Sequence, residues 1–263
     1  MAASESSTLS LSERHQYILN LLQKRGSASV TDLADELKVS EVTIRKDLSV
    51  LEQQKKLYRT HGSAVLISPY IRDRHVSEKE KQNVAEKQAI GIRAAALIEP
   101  DDSIIIASGT TVIYFAREIH PESHLTVITS SVQVTSILSQ QGHAEVYQLG
   151  GFVRGSSVSV AGNFAEEMLR SFHCSKLFIG VDGIDPEFGL TTTNVMEASV
   201  NRAMMDASQK VIVLADSTKF GRRGFSKICG LESVDEIITD SAAPPSMLQQ
   251  LNERGITVHL VDP

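Results

Sequence analysis

The sequence predicts an α/β protein in two parts: a small trihelical unit closed by a β-hairpin, then a larger domain on a mainly parallel sheet. Three observations predict it. Apolar residues recur at helical spacing in three short stretches between residues 12 and 54. A pair of strand-like runs follows at once. From Asp102 onward, seven more strand-like runs alternate with helical ones, the pattern of repeated βα units. The length agrees, since 263 residues at roughly 150 per domain make about two domains.

Residues 1–11 are rich in Ala, Ser and Thr and read as a disordered tail, lacking the basic start and apolar run of a secretory signal. Between Ser12 and Gly26, Ile18, Leu21 and Leu22 share one helical face, and Gly26 is the expected stop. Thr31 is positioned to cap a second short helix ending near Lys38. Ser40 caps a third, in which Ile44, Leu48 and Leu51 recur at i, i+4 and i+7 and face inward. Leu57–Thr60 and Ser63–Ile67 flank His61-Gly62 as a wing-sized hairpin. These elements make a first domain over 12–67.

Residues 68–76, with Pro69 and a run of charges, read as a linker. Ser77-Glu78-Lys79-Glu80 has the form of a capping box, so a long helix to Ile98 is expected to open a second domain, 77–263. The strands expected there are Ile104–Ala107, Leu125–Thr129, Ala144–Leu149, Lys176–Val181, Val211–Ala215, Glu236–Thr239 and Ile256–Leu260. Helices between them favour a Rossmann-like parallel sheet covered on both faces, with ligands at the carboxyl ends of its strands.

Composition narrows the function. With 41% apolar and 22% charged residues, the chain is an ordinary globular protein. No window reaches the 18 or so apolar residues of a membrane span, so no membrane partner is expected and a cytoplasmic location is. Cys174 and Cys229 lie far apart with no Cys/His cluster, which predicts buried free thiols and no metal site. Net charge is −6, yet between Thr43 and His75 seven basic residues stand against three acidic ones. A basic head on an acidic body is the pattern of a protein that meets a polyanion with one end.

If Ile44, Leu48 and Leu51 point inward, a rotation of 100° per residue puts Val42, Arg45, Lys46 and Ser49 outward, with Thr43 beside them. An outward Arg can bond guanine in paired fashion, Val42 and the Thr43 methyl can touch thymine, and Lys46 suits phosphate or base. Ser40 at the helix start, with Lys55, Lys56 and Arg59, can hold flanking phosphates. His61 at the hairpin tip is a candidate for the minor groove or a phosphate. Asp47 lies near the buried face and is assigned to structure, orienting Arg45 or another basic neighbour.

Arg14, Ile18 and Leu22 at spacing four, followed by Ser40-Glu41-Val42-Thr43-Ile44-Arg45-Lys46-Asp47-Leu48, resemble the DNA-binding signature of the DeoR family of bacterial repressors. Leu57-Tyr58-Arg59-Thr60-His61-Gly62-Ser63-Ala64 resembles the wing of that family, with Ser63 where a second Gly is common. The resemblance implies a winged helix-turn-helix that binds double-stranded operator DNA.

In the second domain, Ser108-Gly109-Thr110-Thr111 follows an apolar strand and opens a helix, where amides, hydroxyls and the helix dipole converge on an anion. Further strand-end loops carry Ser130, Arg154, Asp182, Thr191 and Thr192, whose hydroxyls and charges suit a sugar and its phosphate, as does Lys219. These blocks, with Leu214–Phe220, are similar to the DeoR sensor domain, itself related to ribose-5-phosphate isomerase. The resemblance implies a regulator, most simply a repressor of a sugar or polyol catabolic operon, that needs no cofactor. A phosphorylated sugar or polyol would be its effector and a homo-oligomer, dimer or tetramer, its working form.

The chief rival is a sugar-phosphate isomerase with an appended DNA-binding head, because Asp182, Asp185 and Glu197 look like the acidic part of that enzyme's site. That isomerase follows its acidic pair with a Lys-Gly-Gly-Gly loop, whereas this chain has Leu190-Thr191-Thr192-Thr193-Asn194. Without that cation, Asp182 and Glu197 are expected to bind and not to turn over. A nicotinamide-dependent oxidoreductase is excluded sooner, since no GxGxxG follows the first strand.

Overall fold

The computed structural model describes residues 9–25, 27–54, 56–60, 63–66, 74–121 and 123–263. The chain divides into two compact units, Met1–Tyr70 and Ile71–Pro263, each treated on its own below.

The first unit contains α1 (Leu11–Arg25), β1 (Ser27–Ser29), α2 (Val30–Leu37), α3 (Glu41–Gln53), β2 (Leu57–Thr60) and β3 (Ser63–Leu66). The expected tail is shorter than 1–11, because α1 begins at Leu11 on a capping box. Ser10 Oγ accepts the Glu13 amide at 3.4 Å, and the Glu13 carboxylate accepts the Ser10 amide at 2.9 Å. Residues 1–8 and the expected stop at Gly26 lie outside the described residues. Thr31 does not cap α2. Strand β1 runs directly into that helix, so Ser29 is the cap, accepting the Asp32 amide at 2.9 Å.

The helix-to-helix turn passes through Lys38 in the left-handed region, φ 53°, whose amide closes α2 on Ala34. Ser40 then caps α3 by accepting the Thr43 amide at 3.2 Å. Ile18, Leu33, Ile44, Leu48, Leu51 and Leu57 are fully buried, each contributing about 1.5–3 kcal/mol of gross burial before conformational entropy is charged against it. Strand β3 pairs antiparallel with both β1 and β2, which fixes the hairpin beneath α3.

The second unit opens with α4 (Val76–Glu80) and α5 (Val84–Ala95). These replace the single long helix expected from Ser77 to Ile98. The cap is His75, whose ring accepts the Ser77 amide at 3.3 Å, and the helix breaks at Asn83, φ 50°. Asn83 stays in that conformation because its amide donates to Asp216 Oδ1 at 3.0 Å. Val76 is buried and its amide donates to the Ser156 carbonyl at 2.7 Å, so it belongs to this unit and not to the linker.

Then come β4 (Ser103–Ile106), α6 (Thr110–Arg117), β5 (Thr126–Thr129), α7 (Val132–Gln141) and β6 (Glu145–Gln148). The hairpin β7 (Phe152–Arg154) and β8 (Ser159–Ala161), α8 (Asn163–Leu169) and β9 (Cys174–Gly180) follow. The chain continues through β10 (Gly183–Asp185), β11 (Gly189–Thr192), α9 (Val195–Asp206), β12 (Ser208–Leu214), β13 (Ser226–Cys229), β14 (Glu236–Asp240), α10 (Pro245–Glu253) and β15 (Thr257–Val261). Seven strands form one parallel sheet in the order β6-β5-β4-β9-β12-β14-β15. They are the seven expected runs, with ends shifted by a few residues.

The sheet has two apolar faces because consecutive residues in the carboxyl halves of its central strands β4, β9 and β12 are apolar, so both sides of the pleat are. Ile104, Ile106, Phe178, Ile212 and Leu214 pack on one face with Ile90 of α5, Phe115 of α6 and Leu138 of α7. Ile105, Leu177, Ile179, Val211 and Val213 pack on the other with Leu169 of α8, Met204 of α9 and Leu251 of α10. Gly91 lets α5 and α6 touch, since a Cβ there would lie 2.9 Å from the Phe115 backbone nitrogen. Cys174 is a buried free thiol and Cys229 a half-buried one. Among the described residues, no helix is long and apolar enough to cross a membrane.

Candidate functional site

In the first unit, the inward stripe of α3 leaves Val42, Arg45 and Lys46 exposed and Thr43 and Ser49 half-buried, with exposed Ser40 at the start of the helix. Val42 is 60% exposed, which leaves its methyl groups on the outer face of the helix. Arg45 pairs with Glu41 at 2.7 Å. Ser49 Oγ donates to the Arg45 carbonyl and accepts from Arg59 of β2, both at 2.8 Å, which ties the wing to the outer face of α3. Lys56 and Arg59 are exposed beside it, whereas Lys55 and His61 lie outside the described residues.

Asp47 is buried and takes no part in this face. Of the two roles expected for it, orienting Arg45 is excluded and orienting another basic neighbour holds. Arg14 donates to Asp47 through Nε at 2.5 Å and Nη2 at 3.0 Å, and His15 Nε2 lies 3.3 Å away. The carboxylate locks α1 to α3 and keeps its charge away from the exposed basic side chains.

In the second unit, strand order reverses between β4 and β9, and the loops leaving their carboxyl ends part there. A cleft of about 630 Å3, counting its open mouth, sits at that point. Ser108, Gly109, Thr110 and Thr111 line one wall and Gly180, Val181 and Asp182 the facing one. Helix α6 starts on Gly109 without a side-chain cap, so its first amides are available to an anion in the cleft. Gly109, φ 133°, is in a conformation that a side chain would strain, and a Cβ would project into empty space.

Opposite charges are arranged in pairs around the cleft. Lys79 Nζ donates to Asp182 Oδ1 at 2.9 Å, and Asp182 Oδ2 accepts the Thr193 amide at 3.2 Å. Burial disfavours ionisation of Asp182, but Lys79 and Lys219 outweigh it and hold the carboxyl below the ordinary aspartate value. Glu197 is paired with Arg154, which also donates to Ser156 Oγ and Ser157 Oγ. The Thr192 hydroxyl lies 3.2 Å from Asp182 Oδ2 and 3.3 Å from Glu197 Oε2. One proton cannot serve both carboxylates at once, so this end of the cleft has acceptor capacity for a donor hydroxyl.

Eight of the eleven expected effector residues line the cleft: Ser108, Gly109, Thr110, Thr111, Asp182, Thr192, Glu197 and Lys219. Three do not. Arg154 is buried behind Glu197, Ser130 is buried with its carbonyl accepting the Val160 amide, and the Thr191 hydroxyl is used up between the Gly183 carbonyl and the Gly224 amide. Arg74, Val76, Lys79, Ser156, Ser157 and Asn201 also line it and were not expected. Arg74 and Val76 fall in the stretch expected as linker, and Lys79 in the capping box expected to open a long helix. Lys87, also unforeseen, is buried with its ammonium donating to the Lys79 carbonyl at 2.6 Å and to that of Gln82. Burial brings its pKa down to about 8. Among the described residues, no group of three or more His, Cys, Asp or Glu is placed to hold a metal ion.

Comparison with known proteins agrees with this division. Residues 14–70 match the DeoR-like helix-turn-helix domain, and residues 82–241 match the DeoR C terminal sensor domain. The chain is 38% identical over 251 residues to the uncharacterized HTH-type transcriptional regulator YulB of Bacillus subtilis, covering 95% of this chain and 97% of that one. It is 33% identical over 232 residues to a lactose phosphotransferase system repressor of Staphylococcus epidermidis, covering 87% and 92%. A solved ribose 5-phosphate isomerase A from Methanocaldococcus jannaschii matches 53% of this chain and 55% of its own at 16% identity, with a TM-score of 0.41. The chain belongs to the DeoR family of DNA-binding transcriptional regulators, its helix-turn-helix domain preceding a sensor domain.

Proposed function

We propose that this regulator is a cytoplasmic repressor of a sugar or polyol operon, released or tightened on its operator by a phosphorylated sugar. Helix α3 would lie in the major groove, with Val42, Thr43, Arg45, Lys46 and Ser49 toward base edges. Ser40, Lys55, Lys56 and Arg59 would hold flanking phosphates, and His61 would reach the minor groove or a phosphate at the wing tip. A homodimer or tetramer would present two such helices to a repeated site.

The observation that carries the effector reading is the cleft at the β4–β9 reversal, where uncapped α6 amides and Lys219 accompany an acceptor-rich end at Asp182, Thr192 and Glu197. The first part suits a phosphate and the second a polyhydroxyl chain. The lactose phosphotransferase system repressor named above supports a sugar-linked role. Ser130, Arg154 and Thr191 would act from behind by holding the lining in place. An isomerase is the weaker reading, because the stretch 190–194 brings no cation to the acidic pair.

For the effector to control DNA binding it must favour one arrangement of the chain, and a tenfold effect needs about 1.4 kcal/mol of differential affinity. A thermal-shift screen of sugar and polyol phosphates tests the site. A ligand at a hundred times its Kd should add about 2.7 kcal/mol of stability. The same compounds without phosphate should add nothing, and a uniform absence of shift would remove the effector assignment.

A further inference from the structure

Arg45 is not a lone side chain on the outer face of α3; it stands at the middle of a connected row. Thr31 Oγ1 of α2 donates to Glu41 Oε1 at 3.2 Å, and Glu41 Oε2 accepts from Arg45 Nη2 at 2.7 Å. Glu41, Arg45 and Ser49 follow one another at i, i+4 and i+8, so they form one stripe along the helix. Both carboxylate oxygens of Glu41 are therefore engaged, one by the preceding helix and one by the guanidinium.

We infer that Glu41 is a positioning residue that presets Arg45 for base reading, with Thr31 as its anchor; the inference rests on α3 being the DNA-reading helix. A guanidinium has five N–H donors. Glu41 uses one hydrogen on Nη2, which leaves the second Nη2 hydrogen and those of Nη1 for the paired acceptors of a guanine edge. A free Arg loses rotamer entropy when it docks, and a side chain already held in place loses less. Held by Thr31, the carboxylate cannot swing away with the arginine when DNA arrives.

The carboxylate also has a cost that acts as selection. At 42% exposure beside the basic side chains it repels phosphate, so it weakens binding to every sequence alike. The arrangement exchanges general affinity for discrimination. A residue that merely stabilised α3 would change neither base preference nor non-specific affinity in this opposed way.

The test is in vitro selection from a random duplex pool with the full-length chain and its Thr31→Val, Glu41→Ala and Glu41→Gln variants. Affinities for the selected and for scrambled duplexes are then measured by fluorescence anisotropy. Wild type is expected to enrich a defined site containing a guanine that Arg45→Ala no longer selects. Thr31→Val and Glu41→Ala should lose discrimination at that same base pair by about tenfold or more. Glu41→Ala and Glu41→Gln should both bind scrambled duplex more tightly than wild type, while Glu41→Gln, whose amide oxygen still accepts from Arg45 and whose NH2 can donate to the Thr31 hydroxyl, retains more discrimination than Glu41→Ala. Variants that enrich the same site with undiminished discrimination overturn the inference. Loss in Glu41→Ala without any loss in Thr31→Val also overturns it, leaving Glu41 as a direct base contact. If wild type enriches nothing, it is the DNA-reading assignment of α3 that fails.

Discussion

Lys79 Nζ lies 2.9 Å from Asp182 Oδ1, a contact between residues 103 positions apart in the chain. It fastens the short helix α4, which closely follows the linker in sequence, to the loop leaving β9 that lines the cleft. An anionic ligand placed on the α6 amides would compete with Asp182 for that ammonium. Lys79→Met should leave affinity for operator DNA within about twofold and reduce the ligand's effect on it by tenfold or more. Anisotropy of a labelled operator titrated with the sugar phosphate reads both quantities; an unaltered response would show that α4 does not report occupancy.

Asp47 has 4% of its side chain exposed and depends on Arg14 for its main partner. Removing Arg14 leaves a buried carboxylate with His15 alone, and breaking a buried pair this way costs about 3–5 kcal/mol. Arg14→Met should lower stability by most of that amount, as read by urea unfolding followed at the first unit. A loss below about 1 kcal/mol would place the pair among ordinary surface ion pairs.

Lys38 has φ 53° in the turn before α3 and is exposed. A side chain in the left-handed region costs about 1–2 kcal/mol, and glycine gives back part of the gain through its freer unfolded chain. Lys38→Gly should stabilise the first unit by about 0.5–1 kcal/mol, measured as a shift of the denaturation midpoint without change in m-value. Destabilisation would mean that the lysine makes a contribution that the backbone geometry does not account for.

Acid should destabilise the sensor domain through a defined set of carboxylates. Burial raises the pKa of Asp102, but Lys176, the Glu99 amide and Ser175 outweigh it, and the net value lies below that of an ordinary aspartate. Glu236 is lowered too, with Lys210 and His259 outweighing burial. A carboxylate depressed in the folded state binds fewer protons there than when unfolded, so its contribution is complete above the unfolded value, about pH 4 for aspartate. It is lost as pH falls through the folded value. Tm should decline below about pH 4, and Asp102→Asn should lower Tm at neutral pH while flattening the decline. An equal slope in wild type and variant would remove Asp102 from the account.

Much of the architecture was legible because it rests on local pattern. The seven parallel strands announce themselves as apolar runs between helices, and the inward stripe of Ile44, Leu48 and Leu51 needs only the helical period. What was missed depends on partners far along the chain. Ser29 displaces Thr31 as the α2 cap because β1 pairs with β3, and Asn83 breaks the expected long helix because Asp216 holds it. The same reason hid Lys79 and Val76, whose places in the cleft come from Asp182 and Ser156. The short strands β7, β8, β10, β11 and β13 carry too few residues for an alternation to register. Arg154 shows the converse: residue type suggested a phosphate ligand, while packing assigns it to Glu197.

In the proposed regulator, α3 reads duplex DNA while the cleft at the β4–β9 reversal reads a sugar phosphate without converting it. The decisive experiment is anisotropy of an operator duplex with wild type, Arg45→Ala and Lys219→Ala, each titrated with the stabilising sugar phosphate and each assayed for sugar isomerisation. Arg45→Ala should lose about 1–3 kcal/mol of specific DNA affinity. Lys219→Ala should bind DNA normally but no longer respond to the sugar phosphate, with no ketose formed by any form of the chain. Undiminished operator affinity in Arg45→Ala, or steady turnover of a pentose phosphate by wild type, would contradict this reading.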